Sequence, residues 1–400
     1  MKRTVSVQVK CDEALFVKEK LVPRILTNQP GEEFLAMGKQ TSEISLWVHK
    51  HLFSIDPIPI EISGLKYFCF FVAGASSYEL DNFVWKALTS PFGVWVLVLG
   101  DDSLSIVHQV LLFGEVTSVK TYFLENDFSQ YDRTQHSLLR KLVDDILERS
   151  GYKELVIERK KMYSRKLVFP REVDNRPRPP LVDINLAPAD MRYTGEAATC
   201  LDNSIVNIIT FCVCHSQSGA SDLMLEANFA HLGLKSKIIR HQELENATFL
   251  KGSFLPNVIG RYTWTRLPSF LLKFGKVLTD PHLIIKKKIP YEDKCAMILW
   301  GQWLSYGDLS HITAYRFIGE RVEFISKKLD GYEEKLKFWQ IKTVSPVKVN
   351  DDVFDRWLRE RYDMTLDEFL LALQPLTTVV PSELPVTWHS SSLRKLLKDY

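Results

Sequence analysis

A chain of 400 residues, 46% apolar and 25% charged, is composed like an ordinary globular protein, which excludes a fibrous or low-complexity chain, and it is too long for one simple core. A net charge of +2 selects no class of partner. The six cysteines make no CxxC pair and no regular spacing, which excludes a zinc ribbon and a disulfide framework and points to reduced, buried thiols in the cytosol.

In chain order, residues 1–50 mix basic residues with short β-like runs and a helical stretch, Ile44–Phe53. Lys10 to Glu13 interrupt any apolar stretch near Met1, so no signal peptide is expected. Pro57 and Pro59 mark a connection. Val94–Leu99 is an unbroken apolar strand, followed by Gly100-Asp101-Asp102-Ser103 and a second apolar run, Leu104–Phe113, and this pattern predicts a hairpin. Thr121–Asn126 is a further strand, ending at Asp127. Helical spacing runs from Gln135 to Ser150 (Leu138, Leu139, Leu142, Ile146, Leu147), with Gly151 suited to the C-terminal cap. Residues 152–193 are basic and then proline-rich, and Arg176–Pro180 is a poor candidate for regular structure. Helices follow at Thr199–Ser216, stopped by Gly219, and at Ser221–Leu232, stopped by Gly233. Leu234–Arg240 and Thr248–Leu255 read as short strands. Beyond Pro268 the pattern is helical, notably Ala296–Tyr306, Asp352–Tyr362 and Leu366–Leu373. The longest apolar runs, Phe68–Ala75 and Ile205–Cys214, are too short to span a bilayer, so a soluble chain is expected.

Charge is local. Residues 151–180 carry nine Lys/Arg against four Asp/Glu, and residues 251–290 carry eight against one. Such clusters are the footprint of phosphate binding, or else plain solvated faces. Cys212, Cys214 and His215 have the donor types of a metal site, but they sit in an apolar helical run without a fourth partner, so burial is the expectation.

The acids carry the chemistry. Two-metal nucleotidyl transfer needs carboxylates holding divalent ions roughly 3.5–4 Å apart, one activating a 3′ hydroxyl and one neutralising pyrophosphate. Asp101 and Asp102 fall at the turn of a buried hairpin, where Gly100 lets the backbone turn and substrate approach. Asp127 ends the next strand and can join Asp101. Asp132, five positions on, can be an acceptor near a ribose, or a cap for the helix beginning near Thr134. The loop Thr194–Thr199, with Gly195, is small enough for template and nucleotide to lie close. Thr199 and Asn203 share one helix face, from which Asn203 can meet Asp132 and a 2′ hydroxyl.

Taken together, these segments resemble the palm of viral RNA-dependent RNA polymerases: Asp127–Asp132 matches motif A, Thr194–Ser204 motif B and Gly100–Asp102 motif C. The order is C, A, B instead of A, B, C. That permutation resembles the permutotetravirus-like group and, more distantly, the birnaviruses, which usually carry Ala-Asp-Asn at the turn. Reconnecting neighbouring strands changes loops without moving the acids. Leu232–Lys237 resembles motif D, which implies a proton donor among Lys235, Lys237 and His241. Phe249–Phe254 resembles the primer-grip motif E, implying RNA contacts at Phe249, Lys251, Gly252 and Ser253. Lys18-Glu19-Lys20 with Pro23-Arg24-Ile25 resembles motif F, implying triphosphate contacts at Lys18, Lys20 and Arg24.

The resemblance covers about residues 10–280, and little chain precedes the motif F segment. It implies an α+β right hand with an RRM-like palm (an antiparallel sheet on helices), fingers and a helical thumb. The expected division is 1–90 fingers, 91–135 palm, 136–193 a fingers insertion with the motif A helix, 194–258 palm and 259–400 thumb. It further implies Mg²⁺ held by Asp101, Asp102 and Asp127, with Mn²⁺ as a substitute. The nucleotide would meet Asp132, Gly195, Thr199 and Asn203. Partners would be an RNA template, a product duplex and ribonucleoside triphosphates, in a replication complex of the host cytoplasm. Three other readings stay open: an inactive RNA-binding module, a reverse transcriptase of the same palm fold, and a two-metal hydrolase. The tryptophans and tyrosines of the C-terminal half are expected in the core.

Overall fold

The computed structural model describes residues 4–10, 24–28, 31–113, 116–129, 131–162, 166–168, 198–219, 221–275, 281, 285, 288–327, 346–377 and 395–396. The protein is a mixed α+β chain that packs as two units: residues 1–73 with 92–240, and residues 74–91 with 241–400. The cut near Arg240 falls inside the 194–258 segment that the sequence groups as one.

In the first unit, strands β1 (Thr4–Lys10), β2 (Arg24–Asn28) and β8 (Lys166–Val168) make a small sheet in the order β2-β1-β8. The main sheet has the order β3-β4-β5-β6-β7-β9. Its strands are β3 (Ile60–Ile62), β4 (Leu65–Phe71), β5 (Val94–Leu99), β6 (Asp102–Phe113), β7 (Val116–Phe128) and β9 (Ser236–His241). The hairpin expected around Gly100 is β5–β6, antiparallel, with Leu99 paired to Asp102. The strand expected from Thr121 starts earlier, at Val116, because β6 and β7 pair along their whole length without a bulge. The sheet is mixed and departs from the expected antiparallel one: β4 and β5 are parallel, their connection passing through helix α2 (Ser77–Thr89). Parallel neighbours require such a crossover.

One face of this sheet meets α6 (Thr199–Ser216), α4 (Ser137–Arg149), α5 (Lys153–Met162) and α7 (Asp222–His231). Alternation puts Tyr67, Cys69, Val96, Val107, Tyr122 and Leu124 on that face, packed in one core with Ile205, Val206, Ile208 and Phe211 of α6. Each such apolar side chain contributes about 1.5–3 kcal/mol on burial. α6 is buried nearly all round, as a central helix must be. Helix α5 was not legible in its basic sequence. Its Leu155 and Val156 are buried, and Arg159 makes a buried ion pair with Asp202 of α6 (2.5 Å) and lies 3.5 Å from Asp144 of α4. Cys212 and His215 are buried as expected. The Cys212 sulfur lies 3.9 Å from that of Cys69, and His215 Nδ1 is 3.0 Å from the Tyr67 hydroxyl. Burial pushes His215 down to about 4. Helix α1 (Gly31–Trp47) continues into a π turn at Val48–Leu52, so the helix expected from Ile44 begins a dozen residues sooner.

In the second unit α2 starts with a capping box between Ser76 and Glu79. Strands β10 (Gly252–Pro256) and β11 (Tyr262–Arg266) form a hairpin, and the Asp81 carboxylate accepts from the Trp264 backbone N–H at 2.9 Å. Among the described residues, helices α8 (Tyr291–Ser305), α9 (Thr313–Ser326), α10 (Asp351–Tyr362) and α11 (Leu366–Thr377) follow. Trp300, Trp303, Tyr315 and Trp357 are core residues, as expected. The strand expected over Thr248–Leu255 begins only at Gly252, because Leu250 and Lys251 turn the chain at φ 54° and 57°. Among the described residues no helix is long and apolar enough to cross a membrane.

Candidate functional site

The site lies where β5 turns into β6 beside the end of β7. Gly100 has φ +65°, and with Leu99 paired to Asp102 the turn has only Gly100 and Asp101 at its centre. Glycine at the first central position is what a type II′ hairpin demands. Asp102 then stands directly opposite Asp127. Opposed residues of an antiparallel pair carry Cβ atoms about 4.5–5.5 Å apart and point to the same side. Counting five positions from Val107 and from Tyr122, both of the helix-facing core, puts Asp102 and Asp127 on the opposite face of the sheet. Asp101 and Asp102 are half-buried and Asp127 is exposed. Surrounding protein, and after it the negative charges of Asp101 and Asp202, push the Cys200 thiol up, so the Asp101 carboxylate acts on the first turn of α6.

α6 reaches the turn itself. The Gly100 N–H donates to the Ser204 hydroxyl (2.7 Å), which donates in turn to the Cys200 carbonyl (2.7 Å). The Asn207 amide donates to the Gly100 carbonyl at 3.2 Å. One turn away, Asn203 Nδ2 donates to Asp132 Oδ1 at 2.8 Å, and the Tyr131 hydroxyl donates to the Asn203 carbonyl at 3.2 Å. Asp132 lies inside the short helix α3 (Tyr131–Thr134), while α4 is capped at His136, so the capping role that sequence left open for Asp132 is not the one it takes. Asn203 is 5% exposed, and its Oδ1 has no hydrogen-bond partner among the described residues. Thr199 is half-buried at the start of α6.

Elsewhere the anticipated residues fare unevenly. Lys235 and Lys237 are exposed; Lys235 precedes β9, and alternation sets Lys237 on the side of the strand opposite Ile238, which packs into the helix-facing core. His241 ends β9 and is half-buried. The set expected to grip RNA at 249–253 needs correction. Phe249 and Ser253 are fully buried, Ser253 donating to the Glu245 and Ala247 carbonyls at 2.8 and 2.7 Å, and Gly252 packs so tightly on Trp264 that a Cβ would fall 2.2 Å from the indole. These three build the turn, and Lys251 is the exposed member. Arg24 is described by its backbone in β2, opposite Lys10. Lys18, Lys20 and Gly195 lie outside the described residues, as does most of the basic stretch after Met162. In the other basic tract, Arg261 stacks over Trp85 (4.8 Å) and Arg266 over Tyr306 (5.1 Å), so part of that charge serves packing.

Sequence reasoning missed Arg159, Asp144 and Asp202, and also the partnership of Ser204 and Asn207 with Gly100. The signal for the last was the recurrence of Cys200, Ser204 and Asn207 at helical spacing beside the apolar Ile205, Val206 and Ile208.

Among the described residues no three His, Cys, Asp or Glu side chains gather into a ready-made metal cage. The donors fit a different kind of site. Mg²⁺ at nucleotide-handling sites is bound through one or two carboxylates with water and substrate phosphates completing its shell, and the opposed Asp102–Asp127 pair beside Asp101 is such a donor set. Compared with known protein families and with curated protein sequences, the chain matches none.

Proposed function

We propose that this chain is a template-directed RNA polymerase of the permuted viral kind, joining ribonucleoside triphosphates by two-metal nucleotidyl transfer. The six-stranded sheet with its helix layer is then the palm, and the helices after Pro268 are the thumb. The observation that carries the proposal is the register of Asp102 against Asp127, two carboxylates on one sheet face beside the Gly100–Asp101 turn. Order C, A, B in sequence is compatible with this because β5, β6 and β7 are consecutive both along the chain and across the sheet.

Asp101, Asp102 and Asp127 would hold the divalent ions, which when bound favour the alkoxide of the attacking 3′ hydroxyl and neutralise the departing pyrophosphate. The chain's own groups do the rest. The Asn203 amide is held by its donation to Asp132 Oδ1, and the Asp132 carboxylate itself is only half-buried. A ribose 2′ hydroxyl has a proton to donate to that carboxylate, which a deoxyribose lacks, so Asp132 suits a ribonucleotide. Lys235, Lys237 and His241 remain three candidates for protonating the pyrophosphate. RNA contacts would fall mainly on phosphates, since a polymerase cannot depend on one sequence.

The test is primer–template extension with Mg²⁺ or Mn²⁺, wild type beside Asp101→Asn and Asp102→Asn. Wild type should incorporate ribonucleotides in preference to deoxyribonucleotides. Both variants should lose incorporation while binding RNA almost as before. Equal incorporation by Asp102→Asn would sink the proposal. Preference for deoxyribonucleotides would point to a reverse transcriptase, and nucleotide release from labelled RNA without template to a hydrolase.

A further inference from the structure

We infer that Ser204 and Asn207 are positioning residues that fix the two peptide groups flanking Gly100 and thereby set where the Asp101 and Asp102 carboxylates present themselves to a divalent cation. This rests on the metal-dependent reading above and extends it to two residues of α6.

A two-residue hairpin needs no outside help to turn, yet here both polar atoms of the Gly100 residue are engaged from one helix: its N–H by Ser204 and its carbonyl by Asn207. The two side chains, one acceptor and one donor, sit three positions apart on α6 and so lie on one face. They are 1% and 0% exposed, in a helix whose neighbouring positions are Ile205, Val206 and Ile208. Polar groups at such depth are costly unless bonded. The Asn207 Oδ1 has no partner among the described residues, so its carboxamide earns its place only through the Nδ2 donated to Gly100. A residue serving packing alone would be better as leucine, which leaves no acceptor unsatisfied. Ser204 is oriented too. Its proton goes to the Cys200 carbonyl, which leaves a lone pair aimed at the Gly100 N–H.

Asp101 and Asp102 follow Gly100 directly, so a rotation of either peptide group swings both acids. The same helix face carries Asn203 to Asp132. α6 therefore registers the turn and the neighbouring acid to a single rigid body.

The experiment uses the full chain and four variants: Ser204→Ala, Ser204→Thr, Asn207→Leu and Asp102→Asn. Mn²⁺ affinity is read by electron paramagnetic resonance, amide exchange at Gly100 by NMR, and kcat and KM by nucleotide incorporation. Ser204→Ala and Asn207→Leu should stay folded by thermal melting but lose about tenfold or more in Mn²⁺ affinity and in kcat, as supporting residues of metal sites do. KM for the nucleotide should change little, the Gly100 amide should exchange faster in Ser204→Ala, and Ser204→Thr should restore all three. Should Ser204→Ala unfold, Ser204→Cys replaces it, keeping volume while accepting hydrogen bonds poorly. Folded variants with wild-type Mn²⁺ affinity and kcat overturn the inference. A wild type that binds Mn²⁺ through Asp102 yet incorporates nothing overturns the polymerase reading, and the Mn²⁺ arm alone then decides the positioning role. Equal Mn²⁺ binding by wild type and Asp102→Asn overturns both.

Discussion

At the scale of single residues, the non-glycine positions with positive φ among the described residues are Ser63, Leu250, Lys251 and Asp363. Leu250 and Lys251 both lie in the left-handed region, and the N–H and carbonyl of Phe249 pair with those of Gly252 to close a two-residue turn. Turns of this kind favour Asn-Gly, and non-glycine residues held there cost about 1–3 kcal/mol each. The exposed Lys251 at the tip suits phosphate contact. Lys251→Gly should therefore raise the melting temperature and, on the polymerase reading proposed above, weaken RNA binding together. The slope of log affinity against log salt should fall by about one, the share of a single phosphate contact. Titrations at several salt concentrations check this, and an unchanged slope would remove Lys251 from the RNA surface.

At the scale of elements, α4, α5 and α6 are tied by Arg159, which is 3% exposed and lies between Asp202 and Asp144. Removing one partner of a buried ion pair costs about 3–5 kcal/mol, since the other charge stays behind in low dielectric. Arg159→Met should show a loss of that order in urea unfolding, and adding Asp202→Asn should recover part of it. This triad also explains what the sequence could and could not reveal. The β5–β6 hairpin, β7 and α6 were legible because apolar runs, a Gly-Asp turn and helical spacing are local signals. The approach of Asn203 to Asp132, 71 positions apart, was expected from the resemblance to polymerase motifs A and B and not from any local spacing. α5 was not legible, since its charged sequence buries Leu155, Val156 and Arg159 only because α4 and α1 pack on it and Asp202 of α6 pairs with Arg159. Nor was the parallel pairing of β4 with β5, which depends on where α2 returns the chain. The turn at Leu250–Lys251 defied propensity, because neither residue type favours positive φ.

At the scale of the whole molecule, acid and alkali act on the two units differently. In the first unit burial holds His215 at about 4, below its ordinary 6.5. Its contribution is full above pH 6.5 and is lost as pH falls towards 4, because the unfolded chain takes up the proton first. In the second unit His311 is likewise held at about 4, whereas burial lifts Asp81 to about 7 from 3.8. The Asp81 contribution is full below about 3.8 and lost as pH rises through 7. Between pH 4 and 7 the second unit thus carries opposing slopes. Urea midpoints at pH 5 and 7 should differ less for His215→Phe than for wild type, and Asp81→Asn should flatten the loss between pH 5 and 8. Identical pH slopes in variant and wild type would refute either assignment. The meander Val94–Phe128 has a consequence of another sort. Its three strands are neighbours in sequence, so they close with little loop entropy and can zip together early. The bonds from α6 to Gly100 span 104 and 107 positions and must come later. The nascent polypeptide thus gathers its negative charge first and learns its final aim afterwards, from a segment synthesised some hundred residues downstream.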